Sequence, residues 1–197
     1  MKNFGTAVIL AGGKSTRMGF DKQLLTVHER SLHELVYDAL HNVFEDIAVV
    51  TNKPALYKGS KLRTFADEFV GMGPLAGIHT ALKHSTSKYV YMIACDMPVI
   101  CVDYVKYMMK LIEESKAQIC VTRKNNWIEP FNAFYSVDLL NDSEQRLLND
   151  NTSVFKFISS ANAVVIPEEK AQAFDTGLNM FINLNTGSDY LEYLNSI

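Results

Sequence analysis

The chain has 197 residues, 48% of them hydrophobic and 21% charged, with a formal net charge of −3 and an isoelectric point near 5.9. That length and balance suit one α/β domain with a core large enough to be stable alone, and they exclude a disordered or membrane-like chain. The acidic balance argues against a nucleic-acid partner, and no apolar run approaches the ~20 residues a membrane span needs.

The N-terminal stretch Met1 to Gly5 carries one charged side chain, and the apolar run after it is too short for a signal peptide. Cys95, Cys101 and Cys120 are odd in number and form no CxxC pair, so the reducing cytoplasm is the expected compartment. His28, His33, His41, His79 and His84 lack HExxH spacing and read as surface or packing residues.

Ala7 to Leu10 is an apolar run and predicts a buried first strand. It feeds a loop, Leu10 to Lys22, in which Gly12 and Gly13 let the backbone turn tightly and approach a ligand. Lys14, Arg17 and Lys22 place three cations there, and the combination suggests a phosphate cradle. The loop is not a Walker A sequence, and its glycines do not fit the dinucleotide fingerprint.

Ser31 and Glu34 form a capping box, and Leu32, Leu35, Val36, Ala39, Leu40 and Val43 recur at helical spacing after it. Ile47 to Val50 is the second strand and ends near Asn52, where parallel sheets bind ligands. Leu62 to Phe65 is a short third strand, with Asp67 just past its end. Gly71, Gly73 and Gly77 surround Pro74, a residue suited to the first turn of a helix. Leu75, Ile78 and Leu82 then face inward.

Tyr89 to Ala94 is a continuous apolar run, as expected of a central parallel strand buried on both faces. Asp96 follows at its carboxyl tip, where a carboxylate can hold Mg²⁺ against triphosphate oxygens. Cys95 reads as packing. Val102 to Ile112 makes a helix face, Gln118 to Thr122 a strand, and Trp127 to Tyr135 a further extended run. Leu139 to Leu148 and Ser153 to Ile158 read as helices, Ala163 to Ile166 as a late strand, and Ser188 to Leu194 as the last helix. Alternating strands and helices predict a mostly parallel sheet covered on both faces.

Five motifs, in order, carry a resemblance. They are Leu10-Ala11-Gly12-Gly13 with Arg17-Met18-Gly19 and Asp21-Lys22; Gly73-Pro74-Leu75-Ala76-Gly77-Ile78; Cys95-Asp96-Met97-Pro98; Pro130 to Tyr135; and Asn183-Leu184-Asn185-Thr186. In these the chain resembles nucleotidyltransferases with a Rossmann-like fold, and most closely the molybdenum cofactor guanylyltransferases of the MobA type. Gly187 stands where that family usually has Pro.

The resemblance implies a three-layer fold of the nucleotide-diphospho-sugar-transferase type over residues 1–197. Residues 1–100 would form the nucleotide-binding half and 101–197 the second-substrate half. It implies transfer of GMP from GTP to the terminal phosphate of molybdopterin, with Mg²⁺ as cofactor and with delivery proteins for the molybdenum cofactor as further partners. It assigns catalysis to Lys22, Arg17 and Asp96, and the metal to Asp96. Nucleotide binding falls to Leu10, Ala11, Gly12, Gly13, Lys22, Asn52, Asp67, Gly73, Pro74, Leu75 and Asp96, and the second substrate to Asn183 and Asn185. Two rivals remain at this stage: a cytidylyltransferase on the same fold, and a nucleotide-binding adaptor without catalysis.

Overall fold

The computed structural model describes residues 1–12 and 21–196. Strand β1 (Lys2–Leu10) opens the chain and is buried from Gly5 to Leu10 except at its first residues. A two-stranded hairpin follows, β2 (Thr26–Val27) and β3 (Arg30–Ser31), and leads straight into helix α1 (Leu32–Leu40). The carboxylate of Glu34 accepts from the backbone N–H of Ser31 at 2.8 Å, so the expected capping box starts this helix.

Then come β4 (Asp46–Val50), β5 (Arg63–Phe65), α2 (Pro74–Lys83), β6 (Ser87–Ala94) and α3 (Val102–Ser115). β7 (Ile119–Lys124), β8 (Trp127–Ser136), α4 (Leu140–Leu148), α5 (Val154–Ser160), β9 (Ala163–Pro167), α6 (Glu168–Gln172) and α7 (Gly187–Ser196) complete the order. The boundaries expected from periodicity hold to within a few residues. The hairpin β2–β3 and the short α6 carry too few periodic positions to be read in advance.

Seven strands form one sheet in the order β5-β4-β1-β6-β8-β7-β9. β5, β4, β1 and β6 pair in parallel, and β8 runs antiparallel to both its neighbours. Side chains alternate across each strand. On β1, Ala7 and Ile9 join the apolar layer that includes Val36 and Leu40 of α1 and Tyr104 and Met108 of α3. Val8 and Leu10 join the opposite layer, with Leu75, Ile78 and Leu82 of α2, Leu147 of α4 and Phe157 of α5.

A third, smaller cluster joins Leu25, Val27 and Leu32 to Leu184, with Tyr190, Tyr193 and Leu194 of α7 packed on it. It returns the C-terminal segment to the front of the sheet. Among the described residues no helix is long and apolar enough to cross a membrane.

Candidate active site

Parallel strands end together, so β1, β4, β5 and β6 bring Ala11, Asn52, Asp67 and Asp96 to one edge of the sheet. A cavity of about 630 Å³ opens there, within the range that holds a nucleotide-sized ligand. Leu10, Ala11, Gly12, Lys22, Asn52, Asp67, Gly73, Pro74, Asp96 and Asn183 all line it. Sequence reasoning did not single out Gln23 or Phe131, which line it too. Gly13 and Arg17 lie outside the described residues.

Leu75 is the exception among the described residues expected to bind nucleotide. It is fully buried with Ile78 and Leu82 and does not line the cavity. Its place in the first turn of α2 packs it into the apolar layer with Val8 and Leu10 of β1, so the wall is made by Gly73 and Pro74 instead. Gly73 caps the helix with φ of +77°, a conformation in which a Cβ would be strained, and Pro74 occupies the first turn.

Lys22 sits on a 3₁₀ turn, Lys22–Leu24, held from both sides. Before it, Asp21 accepts from Lys53 Nζ at 2.6 Å and from the Gln23 backbone N–H at 3.1 Å. Burial works to raise the Asp21 pKa, but these donors outweigh it and hold the carboxyl below its usual value. After it, the Gln23 side-chain oxygen accepts from the Thr51 hydroxyl at 2.8 Å and the Tyr57 hydroxyl at 3.1 Å. Clamped so, Lys22 Nζ donates to Asp96 Oδ2 at 2.6 Å and to Asn185 Oδ1 at 2.7 Å.

The Asn185 segment is fixed in its turn. The Leu184 backbone N–H donates to the Asp96 carbonyl at 2.9 Å. Asp189 Oδ2 accepts from the backbone N–H groups of Asn185 and Thr186, both at 2.8 Å, which caps α7 where Gly187 replaces the expected Pro. Of the expected second-substrate residues, Asn185 therefore meets Lys22 directly but does not line the cavity, and Asn183 lines the cavity with Lys22 and Asp96.

Asp67 lies deeper. Its Oδ2 is 3.2 Å from where a Cβ on Gly12 would stand, and its Oδ1 accepts from the Thr80 hydroxyl at 3.4 Å. Burial raises its pKa above the ordinary carboxylate value. Cys95 is pushed up to about 12, chiefly by burial and then by the neighbouring Asp96, so its thiol stays protonated and serves as packing. Among the described residues no group of three or more His, Cys, Asp or Glu gathers as a metal site.

A mostly parallel sheet with a cavity at its carboxyl edge, a glycine-lined wall and a lysine held against the aspartate that follows β6 agrees with the class the comparisons show, a nucleotidyltransferase. The chain belongs to the MobA-like NTP transferase family, whose domain model matches residues 7–164. A protein of Syntrophotalea carbinolica named molybdenum cofactor guanylyltransferase is 47% identical over 95% of this chain and 89% of its own length. The crystal structure of molybdopterin-guanine dinucleotide biosynthesis protein A from Archaeoglobus fulgidus is similar at 25% identity, with a TM-score of 0.85 over 97% of each chain. A Methanothermobacter nucleotidyl transferase shares the fold at 16% identity, with a TM-score of 0.71 over 98% of this chain and 97% of its own.

Proposed function

We propose that the chain transfers GMP from GTP to the terminal phosphate of molybdopterin and releases pyrophosphate. The observation that carries this reading is one cavity lined both by Gly12, Asn52, Asp67 and Gly73, which follow β1, β4 and β5, and by Lys22, Asp96 and Asn183. A base in the first part would put its triphosphate over the second. The names of the similar guanylyltransferases support GTP and molybdopterin as the two substrates.

Residues 1–100 would supply the nucleotide end and residues 101–197 the second-substrate end. Gly12 and Gly73 admit the base closely, and Asp67 accepts a hydrogen bond from it. Lys22 donates to the triphosphate. A phosphate oxygen of the acceptor attacks the α-phosphorus; the bond to the bridging oxygen breaks, and its electrons leave on pyrophosphate. No general base is required, because a phosphate monoester has a second pKa near ~6 and is already an anion at neutral pH. Catalysis is then positioning and charge stabilisation.

Asp96 fits Mg²⁺. It is a hard oxygen donor at a strand tip with only 13% of its side chain exposed, and Mg²⁺ is commonly held by one or two carboxylates together with substrate phosphates. Asp96 would hold the ion, and the ion when bound supplies charge stabilisation on phosphate oxygens.

Calorimetric titration with GTP, CTP and ATP, each with Mg²⁺, tests the reading. Preference for GTP is expected. Preference for CTP would make the enzyme a cytidylyltransferase, GTP binding without pyrophosphate release on adding molybdopterin would favour the non-catalytic nucleotide-binding adaptor, and binding of none would overturn the reading.

A further inference from the structure

β8 is irregular at one place. Against β7, Thr122 pairs with Glu129 and Cys120 with Phe134, so a two-residue step on β7 matches a five-residue step on β8. On its other side β8 pairs with β6 only as far as Ala133, opposite Met92. The surplus residues, Pro130 to Asn132, therefore fall beside the end of β6 that leads to Asp96. Bulges at such places re-aim side chains.

Asn132 carries the distortion. It is buried and has φ of +56°, a left-handed conformation that Asn tolerates better than most residues. Its side chain is held at both ends: the Tyr91 hydroxyl donates to Oδ1 at 2.7 Å, and Nδ2 donates to the Met180 carbonyl at 3.2 Å. The residue before it, Phe131, packs against both apolar layers and lines the cavity. A left-handed backbone whose side chain is clamped at both ends, next to a cavity-lining aromatic, is the kind of outlier from which a role follows.

Its position says which role. Gly12, Asn52, Asp67 and Gly73 lie on the β1, β4 and β5 side of β6, whereas β8 lies on the other side. Asp96, at the tip of β6, stands between the two. Phe131 is thus across the reacting centre from the base, on the side where Asn183 also lines the cavity.

We propose that Phe131 is the platform on which the flat heteroaromatic ring of the second substrate rests, and that the Asn132 clamp sets its position. This rests on the reading that the acceptor is a pterin. An aromatic face suits such a ring, which is apolar on its faces and polar at its edges. Truncating a stack of this type costs roughly 10- to 100-fold in affinity.

The experiment compares wild type with Phe131→Leu, which keeps apolar packing without the aromatic face, and Phe131→Tyr, which keeps the face. Three readouts are taken: KM for molybdopterin, GTP affinity by calorimetry, and quenching of the fluorescence of free 6-hydroxymethylpterin with GTP present. Unchanged thermal midpoints establish folding. Phe131→Leu is expected to raise KM for molybdopterin roughly tenfold or more and to lose pterin quenching. GTP affinity should stay within about twofold, and Phe131→Tyr should stay near wild type. Equal weakening of GTP would assign the ring to the nucleotide and overturn the proposal. A Phe131→Leu enzyme that turns over and quenches like wild type would overturn it too, leaving the pterin reading intact. A wild type that binds GTP yet neither turns over molybdopterin nor quenches the pterin would overturn both.

Discussion

Lys22 and Asp96, 74 residues apart in the chain, meet at 2.6 Å with less than a fifth of either side chain exposed. Two separate loops are committed to that contact: the Asp21–Gln23 clamp fixes the lysine, and the Leu184 backbone is tied to Asp96 itself. On the proposed reading such rigidity serves catalysis, where charge must be in place before the reaction begins. Lys22→Ala and Asp96→Asn are each expected to lower the rate of pyrophosphate release by roughly 10²–10³. Thermal midpoints should move by a few degrees at most. Turnover near that of wild type in either variant would remove the residue from the reaction.

Gly12 and Asp67 set a second test. A Cβ at position 12 would stand 3.2 Å from Asp67 Oδ2, so Gly12→Ala must displace that carboxylate by a few tenths of an ångström. We expect the Kd for GTP to rise about tenfold, equivalent to ~1.4 kcal/mol. Asp67→Asn should weaken GTP as well, since an amide offers one acceptor where the carboxylate offers two. The acid limb of binding should lie above that of an ordinary aspartate, because burial raises the Asp67 pKa: affinity falls as pH drops and the acceptor is protonated. Titration calorimetry between pH 4.5 and pH 7.5 checks both statements, and a flat profile would show that Asp67 does not meet the nucleotide.

What could be read in advance divides along a physical line. The strands of the proposed nucleotide end are buried on both faces, so Ala7 to Leu10 and Tyr89 to Ala94 announce themselves as apolar runs, and Gly12 after the first and Asp96 after the second mark the edge of the cavity. Gly73 and Pro74 were legible because helix starts use those residue types. Leu75 was carried along by its neighbours, and only its turn into the core separates it from the wall. Phe131 falls inside the motif from Pro130 to Tyr135, but nothing there marks it as facing the cavity, because a bulge breaks the alternation that would identify a facing residue. Gln23 gave no signal, since its partners Thr51 and Tyr57 are about 30 residues away.

The Asn132 clamp predicts a stability effect distinct from its role in the site. Asn132→Ala must hold a left-handed backbone and leaves the buried Tyr91 hydroxyl and Met180 carbonyl without their partner. A loss of about 2–4 kcal/mol is expected. Asn132→Gly keeps the backbone conformation and should lose roughly 1 kcal/mol less. Urea unfolding with unchanged m-values measures the difference. Equal losses in the two variants would show that the backbone at position 132 carries no strain.

His79 contributes to how stability depends on pH. It is fully buried on α2, edge-on to Phe69, and among the described residues neither ring nitrogen has a hydrogen-bond partner. Glu144 of α4 comes no closer than 3.9 Å to Nε2. Burial pulls its pKa below the ordinary imidazole value, and Lys83 and His84 act in the same direction against Glu68 and Glu144. The folded protein therefore holds His79 neutral. Its contribution is fully present above the unfolded value near ~6.5 and is lost as pH falls through that value to the lower folded one, by at most about 1.4 kcal/mol per pH unit. His33 and His84, also lowered by burial, act with the same sign and leave a residual slope. His79→Leu replaces an unpartnered polar ring with an apolar group of similar size, so it should be neutral or stabilising at pH 7.5. It should also be less sensitive than wild type between pH 6.5 and pH 5. Thermal midpoints of both proteins across that range decide it: parallel curves would mean that His79 is not the group being titrated.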